Sequence, residues 1–146
     1  MNLADQFATR GYECVCGNLR MAARAVTSVY DRHLRGAGVQ ASQMAVLWAV
    51  AGQNGAPVKD IAAKLAMHDT ALVRNLRVLE GHGWVAIEVG ADRRQRLVSL
   101  TDEGRAVFAR ALSLWKRAQQ EISLALDDSV EQTNAKLLRL TRKAAS

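Results

Sequence analysis

Arg74, Arg77, Arg93, Arg94 and Arg96 are the side chains of this 146-residue chain whose spacing suggests chemistry. The first two stand in Arg74-Asn75-Leu76-Arg77-Val78-Leu79-Glu80, which reads as a helix stopped by Gly81-His82-Gly83-Trp84. The other three crowd into Asp92-Arg93-Arg94-Gln95-Arg96, a short turn between two extended segments. A basic helix shaped to enter a groove, with a basic hairpin beside it, offers side chains for base edges and cations for phosphates. That is the chemistry duplex DNA requires of a small protein.

The elements that must position these residues follow from apolar periodicity and turn chemistry. Tyr12, Cys16, Leu19, Ala23, Val26, Tyr30 and His33 recur at alternating steps of four and three, which predicts one long helix from the N-terminus to about residue 35. Gly36-Ala37-Gly38 ends it. Ser42 is the expected cap of a second helix with Met44, Leu47, Trp48 and Ala51 on one face. After the loop Gly52-Gln53-Asn54-Gly55, Pro57 suits the first turn of a short third helix through Leu65. Met67-His68-Asp69 turns the chain into the basic helix, from Thr70 to Glu80, which completes a helix-turn-helix. Leu72, Leu76 and Leu79 are its core-facing side.

The segments 85–89 and 96–100 read as a hairpin around Gly90-Ala91-Asp92. Thr101 then caps a long helix with acids in its first turn and an apolar stripe of Phe108, Ala111, Trp115, Ala118, Ile122 and Ala125. A last helix begins after Asp127-Asp128-Ser129 and carries Leu137, Leu138 and Leu140. The expected fold is mainly α: a winged helix-turn-helix flanked by dimerisation helices, with about six helices and a two- to three-stranded wing. The expected organisation is an N-terminal dimerisation helix over 1–36, the winged helix-turn-helix over 37–101 and C-terminal dimerisation helices over 102–146. The flanking helices carry apolar stripes that the small central unit cannot cover, so pairing with a second copy is expected. A symmetric dimer would place two recognition helices about 34 Å apart, on successive major grooves of a pseudo-palindrome.

Composition agrees. Twenty Lys and Arg against 14 Asp and Glu give a net charge of +6, and after Glu131 the chain carries Lys136, Arg139, Arg142 and Lys143 with no acid. Clustering of this kind favours a polyanionic partner. No apolar run approaches the ~20 residues that span a bilayer and no secretory signal is evident, so a cytoplasmic protein is expected. With two cysteines, Cys14 and Cys16, a disulfide framework is not expected, and the histidines His33, His68 and His82 are too dispersed for a structural zinc site. No Gly-rich phosphate loop, metal cluster or nucleophile paired with a base points to an enzyme; a thiol peroxidase is the one coherent enzymatic alternative. No cofactor is implied. A further alternative, an architectural DNA-binding protein, would show similar affinity for any duplex.

The chain resembles the MarR family of bacterial transcriptional regulators over nearly its whole length. The resemblance is carried by Ser42-Gln43-Met44-Ala45-Val46-Leu47, by Ile61-Ala62-Ala63-Lys64-Leu65, and by Thr70-Ala71-Leu72-Val73-Arg74-Asn75-Leu76 with Leu79-Glu80 and Gly83-Trp84. The wing adds Asp92-Arg93-Arg94, Leu97-Val98-Ser99-Leu100-Thr101 and Gly104. It implies a sequence-specific regulator of double-stranded DNA, a repressor released by a small anionic or aromatic ligand. It implies that Asp92 braces the wing arginines, that Arg94 enters the minor groove and that Arg93 and Arg96 meet phosphates. Narrow minor grooves concentrate the negative potential that such an arginine meets. Thr70, Ala71 and Arg74 lie on the groove-facing part of the recognition helix, with Asn75 and Arg77 set to reach base edges or backbone. Asp69, Val73 and Gln40 depart from the family pattern, which bears on the bases read.

Two modes of release are known in the family. One is a ligand held between the dimerisation helices and the DNA-binding lobe; Arg20 and Arg24 are expected to supply the cation and Met44, Trp48 and Trp115 the walls, residues that also suit core packing. The other is oxidation of a thiol. Cys16, Leu19, Arg24, Ala25, Thr27 and Tyr30 resemble the family's repressors of organic-hydroperoxide resistance, which places Cys16 as the reactive thiol and Tyr30 as its support, although Gly17, Arg20 and Ala41 replace aromatic residues of that subgroup. Within one helix, Cys14 and Cys16 would point about 200° apart, too divergent for an easy bridge.

Overall fold

A computed structural model describes residues 2–10 and 13–145. The N-terminal segment is two helices rather than one: α1 (Leu3–Arg10) and α2 (Val15–Leu34). Cys14 takes an extended conformation (φ −78°, ψ 107°) and caps α2, its Sγ accepting the Gly17 N–H at 3.3 Å. The continuous stripe is thereby corrected: it begins at Cys16, because the chain is extended immediately before Val15. Tyr12, which heads the expected stripe, lies outside the described residues.

A 3-10 turn (Arg35–Ala37) follows α2, and Gly38 at φ 70° reverses the chain. Helix α3 (Ala41–Ala51) is capped by Gln40 and not by Ser42. Gln43 Oε1 accepts the Gln40 N–H at 2.9 Å, and Asp31 Oδ1, from α2, accepts the Ala41 N–H at 2.6 Å, so a carboxylate faces the positive end of α3.

Pro57 is also placed differently. It belongs to a two-residue strand, β1 (Ala56–Pro57), and ends in extended backbone as the cap of α4 (Val58–Lys64). A residue with fixed φ and no N–H fits an edge strand as well as a helix start, and the edge position is the one occupied here. Ala66 then adopts φ 50°, and the N–H of Met67 reaches back to the Ala62 carbonyl at 2.9 Å, the Schellman closure that turns the chain towards the next helix.

That helix, α5 (Asp69–Gly81), buries Leu72, Leu76 and Leu79 as expected. Strands β2 (Val85–Val89) and β3 (Arg96–Leu100) form the hairpin, and β1 joins it to give an antiparallel sheet in the order β1-β3-β2. Helix α6 (Asp102–Ser123) packs along α2 and α3; Ala125 of the expected stripe falls beyond its end. Helix α7 (Val130–Ala144) is capped by Ser129, whose hydroxyl accepts the Gln132 N–H at 3.1 Å.

The core gathers Leu34, Leu47, Ile61, Leu72, Leu76, Leu79 and Val98, contributed by α2 through β3. By contrast α7 buries no residue within the chain, and Leu137, Leu138 and Leu140 stay exposed. Among the described residues, no helix is long and apolar enough to cross a membrane.

Candidate nucleic-acid interface

The geometry of the interface is set where α5 ends. Gly83 takes φ 77°, its N–H reaches the Glu80 carbonyl at 2.9 Å, and the N–H of Trp84 reaches the Leu79 carbonyl at 3.0 Å. This is a Schellman motif, and it delivers Trp84 into the core at the start of β2. The far end of the hairpin returns to the same place. Thr101 Oγ1 donates to the Gly83 carbonyl at 2.5 Å and accepts the Gly104 N–H at 2.9 Å, and the Thr101 N–H donates to the Trp84 carbonyl at 3.1 Å. One threonine therefore caps α6 and fastens it, with the end of β3, to the residues that follow α5. The junction between the basic helix and the hairpin is held by backbone bonds and by one short, doubly bonded threonine hydroxyl.

On α5, Thr70, Ala71, Arg74 and Arg77 are exposed, as are Asp69 and Val73. Asn75 is half-buried and its amide donates to the Ala71 carbonyl at 3.2 Å, so this side chain lies along its own helix. In the wing, Asp92 Oδ1 accepts the backbone N–H of Arg94 at 3.0 Å, the N–H of Gln95 donates to the Asp92 carbonyl at 2.9 Å, and that of Gly90 donates to the Gln95 carbonyl at 3.1 Å. Asp92 braces the tip through its backbone, and forms no ion pair with Arg93 or Arg94 among the described residues. Arg96 turns back: its Nη1 donates to the carbonyls of Arg93 at 3.0 Å and Gln95 at 3.3 Å. Arg93 and Arg94 are exposed and form no ion pair among the described residues, whereas Arg96 is tied to the loop that carries them.

Between α5 and the wing lies a cleft of about 540 Å³ lined by Lys59, Asp60, Asp69, Val73, Arg94 and Arg96, among others. Lys59, on α4, was not singled out by sequence; a lone lysine in a short helix carries no periodic signal, and only the fold brings it beside the wing.

The remaining candidates fall elsewhere. Met44, Trp48 and Trp115 do meet, with Tyr30, Leu34 and Leu65, around a second cleft of about 450 Å³ formed by α2, α3 and α6. Arg20 and Arg24, exposed on the first half of α2, do not line it. Tyr30 donates its hydroxyl to Gln119 Oε1 on α6 and is not beside Cys16, which stands 14 positions earlier on the same helix. At ~1.5 Å per residue that is about 21 Å along the axis. Burial raises the Tyr30 phenol above its ordinary pKa. Cys14 and Cys16 are both free and exposed. At the C-terminal end of α2, Glu121 of α6 binds His33 Nε2 at 2.7 Å and Arg32 at 2.5 Å; the hydrogen bond with His33, then that with Arg32, holds its carboxyl below the ordinary range. No group of three or more potential metal ligands occurs among the described residues.

Residues 39–104 match the family described as a winged helix DNA-binding domain. The chain is similar to the transcriptional regulator MosR of M. tuberculosis in complex with DNA, with 31% identity over 90% of this chain and 96% of that chain and a TM-score of 0.83. It is similar to the transcriptional repressor CouR bound to a 23-mer DNA duplex, with 25% identity over 94% and 96% of the two chains and a TM-score of 0.76. A mutant of E. coli MarR complexed with operator DNA shares the fold at a TM-score of 0.78 over 96% of this chain and 99% of that chain, with 22% identity.

Proposed function

Because the chain belongs to the MarR family of winged-helix transcriptional regulators, we propose that it is a homodimeric repressor that reads a pseudo-palindromic operator and leaves it when a small aromatic ligand binds. It is a DNA-binding transcriptional regulator and not an enzyme. The observation that carries the reading is the fastening of α5 to the wing through Gly83, Trp84 and Thr101. A recognition helix and a wing held at one angle insert into adjacent grooves as a single body.

Residues 37–101 act as the DNA-binding lobe, and 1–36 with 102–146 as dimerisation elements in the cytoplasm. Arg74 reads a base edge in the major groove, with Thr70, Ala71 and Arg77 flanking it. Asn75 supports the helix backbone beside Ala71. Arg94 enters the minor groove and Arg93 meets phosphate, while Asp92 fixes the loop and Arg96 reinforces it from its own backbone contacts as it approaches phosphate. The exposed leucines of α7 support pairing with a second copy, and the DNA complexes of MosR and CouR support the duplex partner. The ligand is received by the Trp48–Trp115 cleft, which lies against α3 of the DNA-binding lobe and α2 and α6 of the dimerisation elements.

Exposure of the free Cys16 thiol on α2 favours a second mode of release by thiol oxidation. Footprinting on the promoter beside the protein's own gene tests the reading. A protected pseudo-palindrome, lost on adding effector or peroxide, is expected; uniform affinity for unrelated duplexes would replace it with an architectural role. Cys16→Ser should abolish a peroxide response and leave a ligand response intact.

A further inference from the structure

Leu72, Leu76 and Leu79 turn one side of α5 to the core, and the side away from them carries Thr70, Arg74 and Arg77, all exposed. One larger apolar side chain interrupts it: Val73, in the row Thr70–Val73–Arg77 and 37% exposed. We propose that Val73 is a specificity-determining residue that packs on the C5-methyl group of a thymine in the major groove, beside the base pair that Arg74 contacts. This rests on the reading of α5 as the recognition helix of an operator-binding regulator, and names one base that the operator must carry.

Packing within the chain leaves this surface in water. The three leucines are fully buried, whereas Val73 borders both clefts that open between α5 and the hairpin. A β-branched residue is slightly disfavoured inside a helix, because its side chain is confined to one rotamer. The same stiffness suits recognition: both methyl groups are already fixed, and little conformational freedom remains to be lost on contact with a base. Val78 and Val89 are exposed as well, but one stands in the last turn of α5 and the other at the end of β2. A recognition helix meets base edges through its N-terminal residues, which selects Val73.

The chemistry of the groove names the base. Thymine is the unmodified base that presents an apolar group there, its C5-methyl; guanine, adenine and cytosine present acceptors and amines. A polar edge pressed against the valine would shed its water and gain no hydrogen bond, so Val73 both rewards thymine and penalises the alternatives. Arg74 follows in sequence and supplies the hydrogen bonds that Val73 lacks. Consecutive Cα atoms lie ~3.8 Å apart and stacked base pairs ~3.4 Å apart, so adjacent residues of the helix reach adjacent pairs.

The test is to select operators from a random duplex library with the intact protein, then replace each selected thymine in turn by deoxyuridine, which removes only the methyl group. In the parent one thymine per half-site should be sensitive. Deoxyuridine there should weaken binding about fourfold, and about fifteenfold when both half-sites are changed, the fold-change of one buried methyl group each. Val73→Ala should bind the thymine operator more weakly, lose the difference between thymine and deoxyuridine, and keep the parent's melting temperature. Val73→Thr, which keeps the branched shape and so protects the fold, should also reduce the difference. Deoxyuridine sensitivity that stays at the parent's level in both variants overturns the proposal and hands the methyl group to Thr70 or Ala71. A selected operator indifferent to deoxyuridine at every position removes the proposal alone, whereas a protein that selects no duplex removes the operator reading beneath it as well.

Discussion

The carbonyl oxygen of Trp84 lies 1.9 Å from the point where a β-carbon on Gly104 would stand. The first turn of α6 is pressed against the backbone that leaves the recognition helix, closer than any side chain permits. Gly104→Ala must push α6 away from Trp84 and strain the Thr101 bonds made on either side of it. Overpacking of this kind costs roughly 1–3 kcal/mol or more, and denaturant unfolding should show a loss of at least that size. Stability equal to that of the parent would mean that α6 and the wing are not fastened here.

Ala66 offers the opposite case. A non-glycine residue at φ 50° is strained, and the Schellman closure by Met67 holds it there. Ala66→Gly should stabilise the protein by about 0.5–1 kcal/mol in the same measurement, the strain relief outweighing the added freedom of the unfolded chain. A destabilised variant would contradict the left-handed assignment.

The α2–α6 contact predicts a pH dependence. Glu121 ionises below its ordinary 4.5 in the folded state because His33 and Arg32 bind it. A depressed carboxylate contributes stability that is full above the ordinary value and lost as the pH falls through the folded one. Glu121→Gln should therefore be less stable than the parent by a constant amount above about pH 4.5, with the two profiles converging as the pH falls below that range. An unchanged acid limb would show that the pair is not formed in solution.

Deleting the residues after Leu126 removes α7, which buries nothing within its own chain. If α7 pairs two copies, light scattering should report a lower mass than the intact chain gives, or aggregation. A well-folded monomer of the intact chain would remove the dimerisation argument altogether.

Much of this was legible in the sequence, and the exceptions are instructive. Leu72, Leu76 and Leu79 revealed the recognition helix because burial imposes helical spacing, and Thr101 announced α6 because capping has a strong residue preference. Pro57 and Cys14 were misplaced because each type suits two local conformations: proline an edge strand or a first turn, and a small thiol a helix face or its cap. Arg94 and Arg96 are one residue type two positions apart, and only the backbone carbonyls of Arg93 and Gln95 separate a free guanidinium from a tethered one. Arg20 and Arg24 shared a helix with Tyr30, yet the cleft begins beyond their reach, since rotation and height along α2 depend on how it packs against α6.

The most direct test of the central claim is the salt dependence of binding to a pseudo-palindromic duplex, measured for the parent and for Arg94→Ala. Each phosphate neutralised contributes about 0.9 to the slope of log K against log salt. The parent should show a steep slope, and Arg94→Ala should bind at least tenfold more weakly with a shallower slope and an unchanged melting temperature. An Arg94→Ala protein with the parent's affinity and slope would contradict the assignment of the wing to DNA.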